Sequence, residues 1–217
     1  AHRTNAPTQS LDGTWEVALT SSSRVALDSP TITFDQEAVH SLPVPSTLEA
    51  EGLWPPAYVN IQMPWDGHEN PQAPKPPQEC RVALYRRTFT LHDSLQESLS
   101  KQGHARLRFE GFATALYIWV DGIFVGYCED GYTASEFDIT SALTHSQDHE
   151  IVVACYEHSS ASWLEGQDSW RFHGIFRSVS LVALPACHVV HLAANADYDA
   201  DSGMGILNVT VDLKGTK

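Results

Sequence analysis

The segment ATALYIWVDGIFVGYCE, residues 113–129, places Asp121-Gly122 between two apolar runs. An Asp-Gly pair tolerates the positive φ angles of a two-residue type I′ turn, whose twist matches that of antiparallel strands. The segment therefore predicts a tight β-hairpin. Because two strands alone are only marginally stable in water, the hairpin must pair or pack with further strands.

Further short strands are predicted along the chain, each bounded by turn residues. In residues 105–110, Leu107 and Phe109 alternate with Arg106 and Arg108, which is the period of a half-buried strand. Only residues 94–103 have a helical pattern, with Ser94 as a plausible N-cap and Gly103 as the stop. Many strands and almost no helix favour an all-β antiparallel sandwich. The other predicted strands are residues 14–19, 31–34, 58–63, 83–91, 149–158 and 175–184. For the interior we expect Phe109, Trp119, Val152, and Leu116 or Tyr117.

Two stretches interrupt the strand pattern. Residues 63–80, MPWDGHENPQAPKPPQEC, contain too many prolines for a sheet interior and predict a long irregular loop, a kind of segment that is often functional. After Pro185, the chain reads as two strands around the turn-rich YDADSGMG. Because two strands cannot bury a core, we expect residues 1–184 to form one domain and residues 185–217 to begin a second domain that is cut short.

The charge balance limits the kinds of partner. The chain has 13 Lys and Arg against 27 Asp and Glu, a net charge of −14. Nucleic acids and anionic membrane surfaces attract basic proteins, so neither is an expected partner, whereas neutral substrates remain open.

The cysteines and the chain termini indicate a cellular setting. Cys80, Cys128, Cys155 and Cys187 show no close pairing and are expected to be reduced thiols. The first residues show no signal peptide, and no stretch is long enough to span a bilayer. A cytoplasmic protein is the default expectation.

The strongest candidate for a site is SWLEGQDSWR, residues 162–171. Sugar sites use aromatic faces against C–H surfaces and carboxylates that accept hydroxyl hydrogen bonds, and this stretch offers Trp163, Asp168 and Trp170. In the alternative reading, Trp170 packs in the core and Arg171 is an ion-pair partner. For Glu165 a solvated turn is the preferred interpretation. The chain has no G-x-S-x-G elbow, no P-loop and no H-E-x-x-H motif.

Several segments resemble, in order, the large bacterial β-galactosidases of glycoside hydrolase family 2. The resemblance is strongest in SWLEGQDSWRFHGIFRSVSL, residues 162–181. It extends through SLDGTWEVAL, LPVPSTLEAEGLWPPAYVNIQMPW, YRRTFTL and LRFEGFATALYIWVDGIFVGYCEDGYTASEFDIT. The related β-glucuronidases and β-mannosidases share the WVDGIFVG theme but usually lack a run like LEGQDSWR.

The resemblance implies a jelly-roll, galactose-binding-like β-sandwich over residues 1–184, followed by the first strands of an immunoglobulin-like domain. It further implies a retaining enzyme that hydrolyses terminal β-D-galactosides such as lactose, with both catalytic glutamates in a barrel outside this chain. The chain alone is then expected to be inactive and to contain no catalytic residue. The parent enzyme is expected to be a homo-oligomer.

The same resemblance assigns roles to individual residues. Asp168 is expected to bind galactosyl hydroxyls and to ligate a monovalent cation, sodium, in the completed active site. Gln167, Trp170 and Arg171 are expected to shape its loop. Magnesium is expected elsewhere in the parent, and no cofactor for the fragment alone.

A second sugar contact is expected from the proline-rich loop, where one register selects His68 and a shift of two residues selects Asn70. The loops 63–80 and 159–174 should then lie at one end of the sandwich. An interdomain or subunit contact is the alternative role for the proline-rich loop. For the whole chain, the alternatives are a free-standing carbohydrate-binding module and an assembly domain.

Overall fold

The computed structural model of the protein describes residues 6–28, 34, 38–66, 69–143, 148–165 and 168–215. Most of the predicted strand 31–34 lies outside these ranges. Among the elements that lie wholly within these ranges, strands predominate; the others are an α-helix and the 3₁₀ turns Ser22–Arg24 and Ser160–Trp163. The elements are β1 (Thr8–Ser10), β2 (Gly13–Ser21), β3 (Val39–Val44), β4 (Ala57–Val59), β5 (Arg81–Thr90), α1 (Asp93–Ser100), β6 (His104–Phe109), β7 (Ala115–Val120), β8 (Ile123–Cys128), β9 (Ser135–Asp138), β10 (Asp148–Tyr156), β11 (Ser169–Arg171), β12 (Val179–Leu184), β13 (His188–Asp199) and β14 (Met204–Lys214).

Two antiparallel sheets form the predicted sandwich. One has six strands in the order β3-β2-β5-β10-β7-β8, and the other has four in the order β1-β12-β6-β9. Between them lies a continuous apolar core, to which alternate residues of each strand contribute. Its members include Trp15, Val17, Tyr85, Leu107, Phe109, Leu116, Ile118, Ile151, Val153 and Leu181. The prediction of a β-sandwich is confirmed.

The six-stranded sheet is apolar on its outer face as well. Trp119 packs there with Phe34, Leu84 and Ala154 in a second buried cluster. Leu116 and Phe109 lie in the central core, and the prediction that Trp119 and Val152 belong to the interior is confirmed as well. Val152 pairs directly with Trp119, and both side chains are buried on the outer face of the sheet. Because side chains alternate between the two faces of a strand, the neighbours of these residues point into the central core.

The β7–β8 hairpin confirms the turn prediction. Asp121 and Gly122 have φ angles of 49° and 76°, the left-handed conformation that a type I′ turn requires. The Asp121 side chain also fixes the neighbouring strand, since its Oδ1 accepts from the backbone N–H of Glu150 at 2.8 Å.

The helix differs at its start from the sequence prediction. His92, not Ser94, is the N-cap residue, and its backbone N–H donates to the side chain of Gln9 at 2.9 Å. A contact from a distant strand therefore sets where the helix begins. At the other end, Gln102 rather than Gly103 adopts a positive φ, 63°. Gly103 allows a close approach instead, because a Cβ there would lie 2.8 Å from the Leu184 carbonyl oxygen.

Strands β13 and β14 pair with each other along their length and confirm the two strands predicted around the YDADSGMG turn. Large apolar side chains of this hairpin are exposed, among them Leu192, Leu207 and Leu213. Its contacts with the sandwich include Lys214 Nζ near Asp138 at 3.4 Å and the His104 and His188 rings at 5.3 Å. That a second domain begins at residue 185 stays a prediction.

All four cysteines are free thiols, as predicted. No helix within the described ranges has the length and apolar character needed to cross a membrane.

Candidate functional site

A two-stranded ribbon formed by β4 and β11 carries the candidate site. Tyr58 lies directly opposite Trp170 in this ribbon, and their ring centroids are 5.6 Å apart. Both rings are more than half exposed. The strand predicted over residues 58–63 is in fact only three residues long, because the chain bends away after Val59.

Asp168 comes directly before β11 and is exposed. Its Oδ1 accepts a hydrogen bond from the Tyr58 hydroxyl. This hydrogen bond to the carboxylate raises the pKa of Tyr58, so the phenol remains a donor at neutral pH. Among the described residues only Tyr58 hydrogen-bonds to Asp168, which leaves the second carboxylate oxygen open to a ligand.

The two arginines that follow Asp168 in the chain, Arg171 and Arg177, hold backbone groups rather than its carboxylate. Arg171 Nη1 donates to the Glu165 carbonyl oxygen at 2.6 Å, which closes the loop between the 3₁₀ turn and β11. Arg177 Nη1 donates to the carbonyl oxygen of Tyr132 at 3.0 Å. Within the described ranges neither arginine forms an ion pair with Asp168, so the geometry does not support Arg171 as an ion-pair partner of this carboxylate.

Two other sequence interpretations of this stretch need correction. Trp170 is exposed, so the alternative that it packs in the core is wrong. Glu165 is half-buried rather than part of a solvated turn. Burial and the nearby charges of Asp130 and Glu129 raise the pKa of its carboxyl.

A buried pair links the segments that flank the ribbon, and no local sequence pattern predicts it. Glu49 accepts from the backbone N–H of His173 at 2.9 Å and lies 2.7 Å from its Nδ1. The two side chains are only 2% and 7% exposed. The pair joins the turn before β4 to the segment after β11. No local pattern marks Glu49, which stands in an ordinary turn-like stretch, LEAEG.

The same region of the structure contains a second polar contact, an ion pair. Arg81 forms a 2.5 Å ion pair with Glu157, and its guanidinium lies 4.5 Å from the Trp54 ring centroid. Burial lowers the pKa of the adjacent His158 to about 4, so its imidazole is neutral at pH 7. A cavity of about 170 Å³ lies between the ribbon and the sandwich, with Arg81, His158 and His173 in its wall. The ribbon therefore rests on a polar layer.

Gly174 ends this segment at a position that only glycine fits well. Its φ is 107°, and a Cβ there would lie 2.6 Å from the Tyr85 hydroxyl oxygen. The backbone can therefore pass directly over the core immediately after His173.

The two loops expected at one end of the sandwich are in contact. Trp163 Nε1 donates to the Lys75 carbonyl oxygen at 2.9 Å, and the rings of Trp163 and Trp65 lie 4.9 Å apart. That prediction is confirmed. Which residue of the proline-rich loop contacts the sugar, His68 or Asn70, stays a prediction. Asn70 is exposed, and no hydrogen bond joins it to Asp168 in the described structure.

Some predicted site residues fall outside the described residues, namely His68 and Gln167. In the part of the chain that is described, no three His, Cys, Asp or Glu side chains group closely enough to hold a metal ion by themselves. Any cation at Asp168 must therefore take other ligands as well.

Proteins similar to this chain are β-galactosidases. The chain is 46% identical over 214 residues to Beta-galactosidase BgaC of Bifidobacterium adolescentis, and 42% identical over 208 residues to the β-galactosidase of Streptococcus thermophilus. These alignments cover 93% and 95% of this chain but 20% of each relative. A β-galactosidase large subunit of Lactobacillus helveticus is 34% identical over 96% of this chain and 35% of its own length. The chain thus spans a fifth to a third of the length of these relatives.

Solved structures with the same fold include two β-glucuronidases. That of Lactobacillus rhamnosus matches with a TM-score of 0.62 at 18% identity, over 99% of this chain and 34% of that one. The FMN-binding β-glucuronidase from Facaelibacterium prausnitzii matches with a TM-score of 0.61 at 17% identity, over 97% and 28%. At this identity the likeness establishes the fold alone.

The family model described as "Glycosyl hydrolases family 2, sugar binding domain" matches residues 8–185. That range runs from β1 to the end of β12 and includes both sheets and the ribbon. The resemblance seen in the sequence is confirmed, and the chain belongs to glycoside hydrolase family 2 through its sugar-binding domain.

Proposed function

We propose that this chain is the N-terminal domain of a retaining β-galactosidase that acts on terminal β-D-galactosides such as lactose. Similarity to β-galactosidases over nearly the whole chain supports the activity. The observation that carries the site assignment is the exposed group formed by Tyr58, Asp168 and Trp170 on the ribbon. The two glutamates of the retaining reaction are proposed to lie in another part of the full-length enzyme.

In this proposal Asp168 binds substrate. Its free carboxylate oxygen accepts from a galactosyl hydroxyl, while Tyr58 holds the other oxygen and fixes the orientation of the carboxylate. The exposed ring of Trp170 offers an apolar face to the C–H side of the sugar. Asn70, or His68, adds a contact from the proline-rich loop.

Asp168 is also the proposed protein ligand for a sodium ion. An exposed carboxylate with one oxygen free is a hard donor of the kind that such cations take, so the residue fits this role. The cation, when bound, supplies a positive charge that a sugar hydroxyl oxygen can share. The proposed magnesium belongs to another part of the full-length enzyme.

Gln167, Trp170 and Arg171 are proposed as supports of this loop, Arg171 through its bond to the Glu165 carbonyl. We further propose that the partners are the remaining domains of the same polypeptide and further copies of it in a homo-oligomer. Residues 185–217 are proposed to begin an immunoglobulin-like domain, which would cover the exposed apolar side chains of the β13–β14 hairpin. The proposed location is the cytoplasm, in keeping with four free thiols.

The alternative is a free-standing carbohydrate-binding module without catalysis. The specific observation in its favour is that the two half-exposed rings and the carboxylate already form one surface without any other domain. Binding of galactosides by the isolated chain with an affinity equal to that of the full-length protein would favour it.

The test of the proposed function is Asp168→Ala in the full-length enzyme. A charge-assisted hydrogen bond to the sugar contributes about 1.5–3 kcal/mol, and loss of a cation ligand disturbs a second contact. Because about 1.4 kcal/mol is a factor of ten, kcat/KM should fall by about 10²-fold or more. Asp168→Asn should recover part of the sugar contact but little of the cation affinity, which a sodium titration measures.

Thermal unfolding of both variants provides the control. Asp168 is exposed and hydrogen-bonds to a single described side chain, so Tm should be nearly unchanged. Normal kcat/KM in both variants would remove Asp168 from the active site, and a lowered Tm with normal kinetics would make its role structural.

A further inference from the structure

A cleft of about 310 Å³ opens on the outer face of the six-stranded sheet. The proline-rich loop forms one wall through Pro76 and Pro77, and the start of the 3₁₀ turn at Ser160 contributes to another. Neither Tyr58 nor Asp168 lines it. Its volume falls at the lower end of the range for small-molecule sites.

Three tyrosines form the floor of this cleft. Tyr117 and Tyr127 are direct partners on β7 and β8, and Tyr156 follows on β10 on the same face of the sheet. Their ring centroids lie 4.5 Å apart for Tyr117 and Tyr127, and 5.3 Å apart for Tyr117 and Tyr156. The rings of the two pairs are tilted by 50° and 51° to one another and pack closely, so they form a continuous but angled aromatic surface.

A carboxylate stands at the edge of the floor. Glu129 accepts from the Ser160 hydroxyl at 2.6 Å and from the Ala161 backbone N–H at 2.8 Å, and it also binds the Tyr127 hydroxyl. Three residues from two elements thus fix it in place. Its negative charge, together with the nearby Asp130, disfavours an anionic ligand in the cleft.

The other two phenols remain available. Within the described structure, the hydroxyls of Tyr117 and Tyr156 hydrogen-bond to no other residue. Burial raises the pKa of both, so each stays protonated at neutral pH and can donate as well as accept.

We propose that this tyrosine cleft binds a neutral pyranose sugar. The aromatic floor receives the C–H face of the ring, and the hydroxyls of Tyr117 and Tyr156 exchange hydrogen bonds with sugar hydroxyls at its edge. Glu129 provides a fixed acceptor. This inference goes beyond the proposed function, since it uses no residue of the Tyr58–Asp168 group.

The test is fluorine NMR of the chain with 3-fluorotyrosine in place of its seven tyrosines. Methyl 1-thio-β-D-galactopyranoside, which resists hydrolysis, is titrated in as the probe. The resonances of Tyr117, Tyr127 and Tyr156 should shift together and saturate at millimolar sugar. Exposed Tyr198 on the β13–β14 hairpin should not move.

The same spectrum separates this inference from the proposed function, because Tyr58 reports on the Asp168 group. Shifts at Tyr58 alone would overturn the cleft proposal and leave the proposed function standing. Shifts at the three cleft tyrosines that persist in Asp168→Ala would support the cleft independently. Titration with choline is the competing probe, and a stronger response to choline than to sugar would overturn the proposal.

A matched pair of variants tests the floor directly. Tyr127→Ala should raise the Kd measured at Tyr117 and Tyr156 by about 2- to 12-fold, the range expected for one aromatic contact. Tyr198→Ala should leave that Kd unchanged. An equal Kd in the two variants would contradict the proposal, and the titration of the unaltered chain decides the matter even if Tyr127→Ala fails to fold.

Discussion

At the scale of single residues, the candidate site depends on one hydrogen bond between residues 110 positions apart in the chain, Tyr58 and Asp168. The carboxylate is exposed, so solvent competes for it, and the tyrosine acts by orienting one oxygen rather than by burying the charge. The π-face of Trp170 lies beside the pair. Orientation of this kind affects ligand binding more than it affects stability.

Tyr58→Phe tests that orientation in the full-length enzyme. The ring and its contact with Trp170 remain, and only the hydroxyl is lost. Because one exposed hydrogen bond contributes about 1 kcal/mol, kcat/KM should fall by about fivefold while Tm stays nearly constant. In the Asp168→Ala background the same change should have almost no further effect, as a double-mutant cycle shows. Full additivity of the two changes would contradict a shared role.

At the scale of elements, the ribbon depends on the buried pair that links its flanking segments. The Glu49–His173 contact joins segments 124 residues apart, of which one precedes β4 and the other follows β11. The backbone reinforces it, since the Leu48 N–H donates to the His173 carbonyl oxygen at 2.9 Å. The turn 48–52 and the segment after β11 therefore behave as one unit, and the ribbon follows their position.

Glu49→Ala should disrupt this unit. Removing one partner of a buried pair costs about 3–5 kcal/mol, because the remaining polar group is left desolvated. For a chain of this size, that corresponds to a fall in Tm of about 10 °C or more. Glu51→Ala is the matched control, since Glu51 is exposed two residues away and its loss should cost less than about 0.5 kcal/mol. Equal effects in differential scanning calorimetry would show that the buried pair does not stabilise the fold.

At the scale of the whole molecule, the fold buries a histidine that titrates near neutral pH in the unfolded chain. Burial lowers the pKa of His158 from 6.5 to about 4 despite the attraction of Glu157. Between these two values the unfolded chain binds a proton that the folded chain does not. Stability that is fully present above pH 6.5 is therefore lost as the pH falls towards 4.

The measurement is the free energy of urea unfolding of the chain at pH 7 and at about pH 5. His158 should contribute about 1.5 kcal/mol of the loss on acidification, and His158→Gln should lack that part of the pH dependence. The exposed His40→Gln serves as the control and should retain it. A pH dependence that is the same in both variants would contradict a neutral buried His158.

Local patterns in the sequence were sufficient for the long strands of the two sheets, the Asp121-Gly122 turn and the position of the two loops around the candidate site. The reason is that side-chain alternation and turn chemistry act between neighbours in the chain. The ends of α1, the outward face of Trp119 and the exposure of Trp170 depended instead on contacts with other elements. Glu49 and the tyrosine cleft were not predicted, because Glu49 meets a residue 124 positions away and the cleft also needs Tyr156 and Ser160 from a distant part of the chain. The composition and motifs of the chain thus determined that it carries a candidate sugar site. Only the packing of the two sheets and the ribbon decided which side chains meet there.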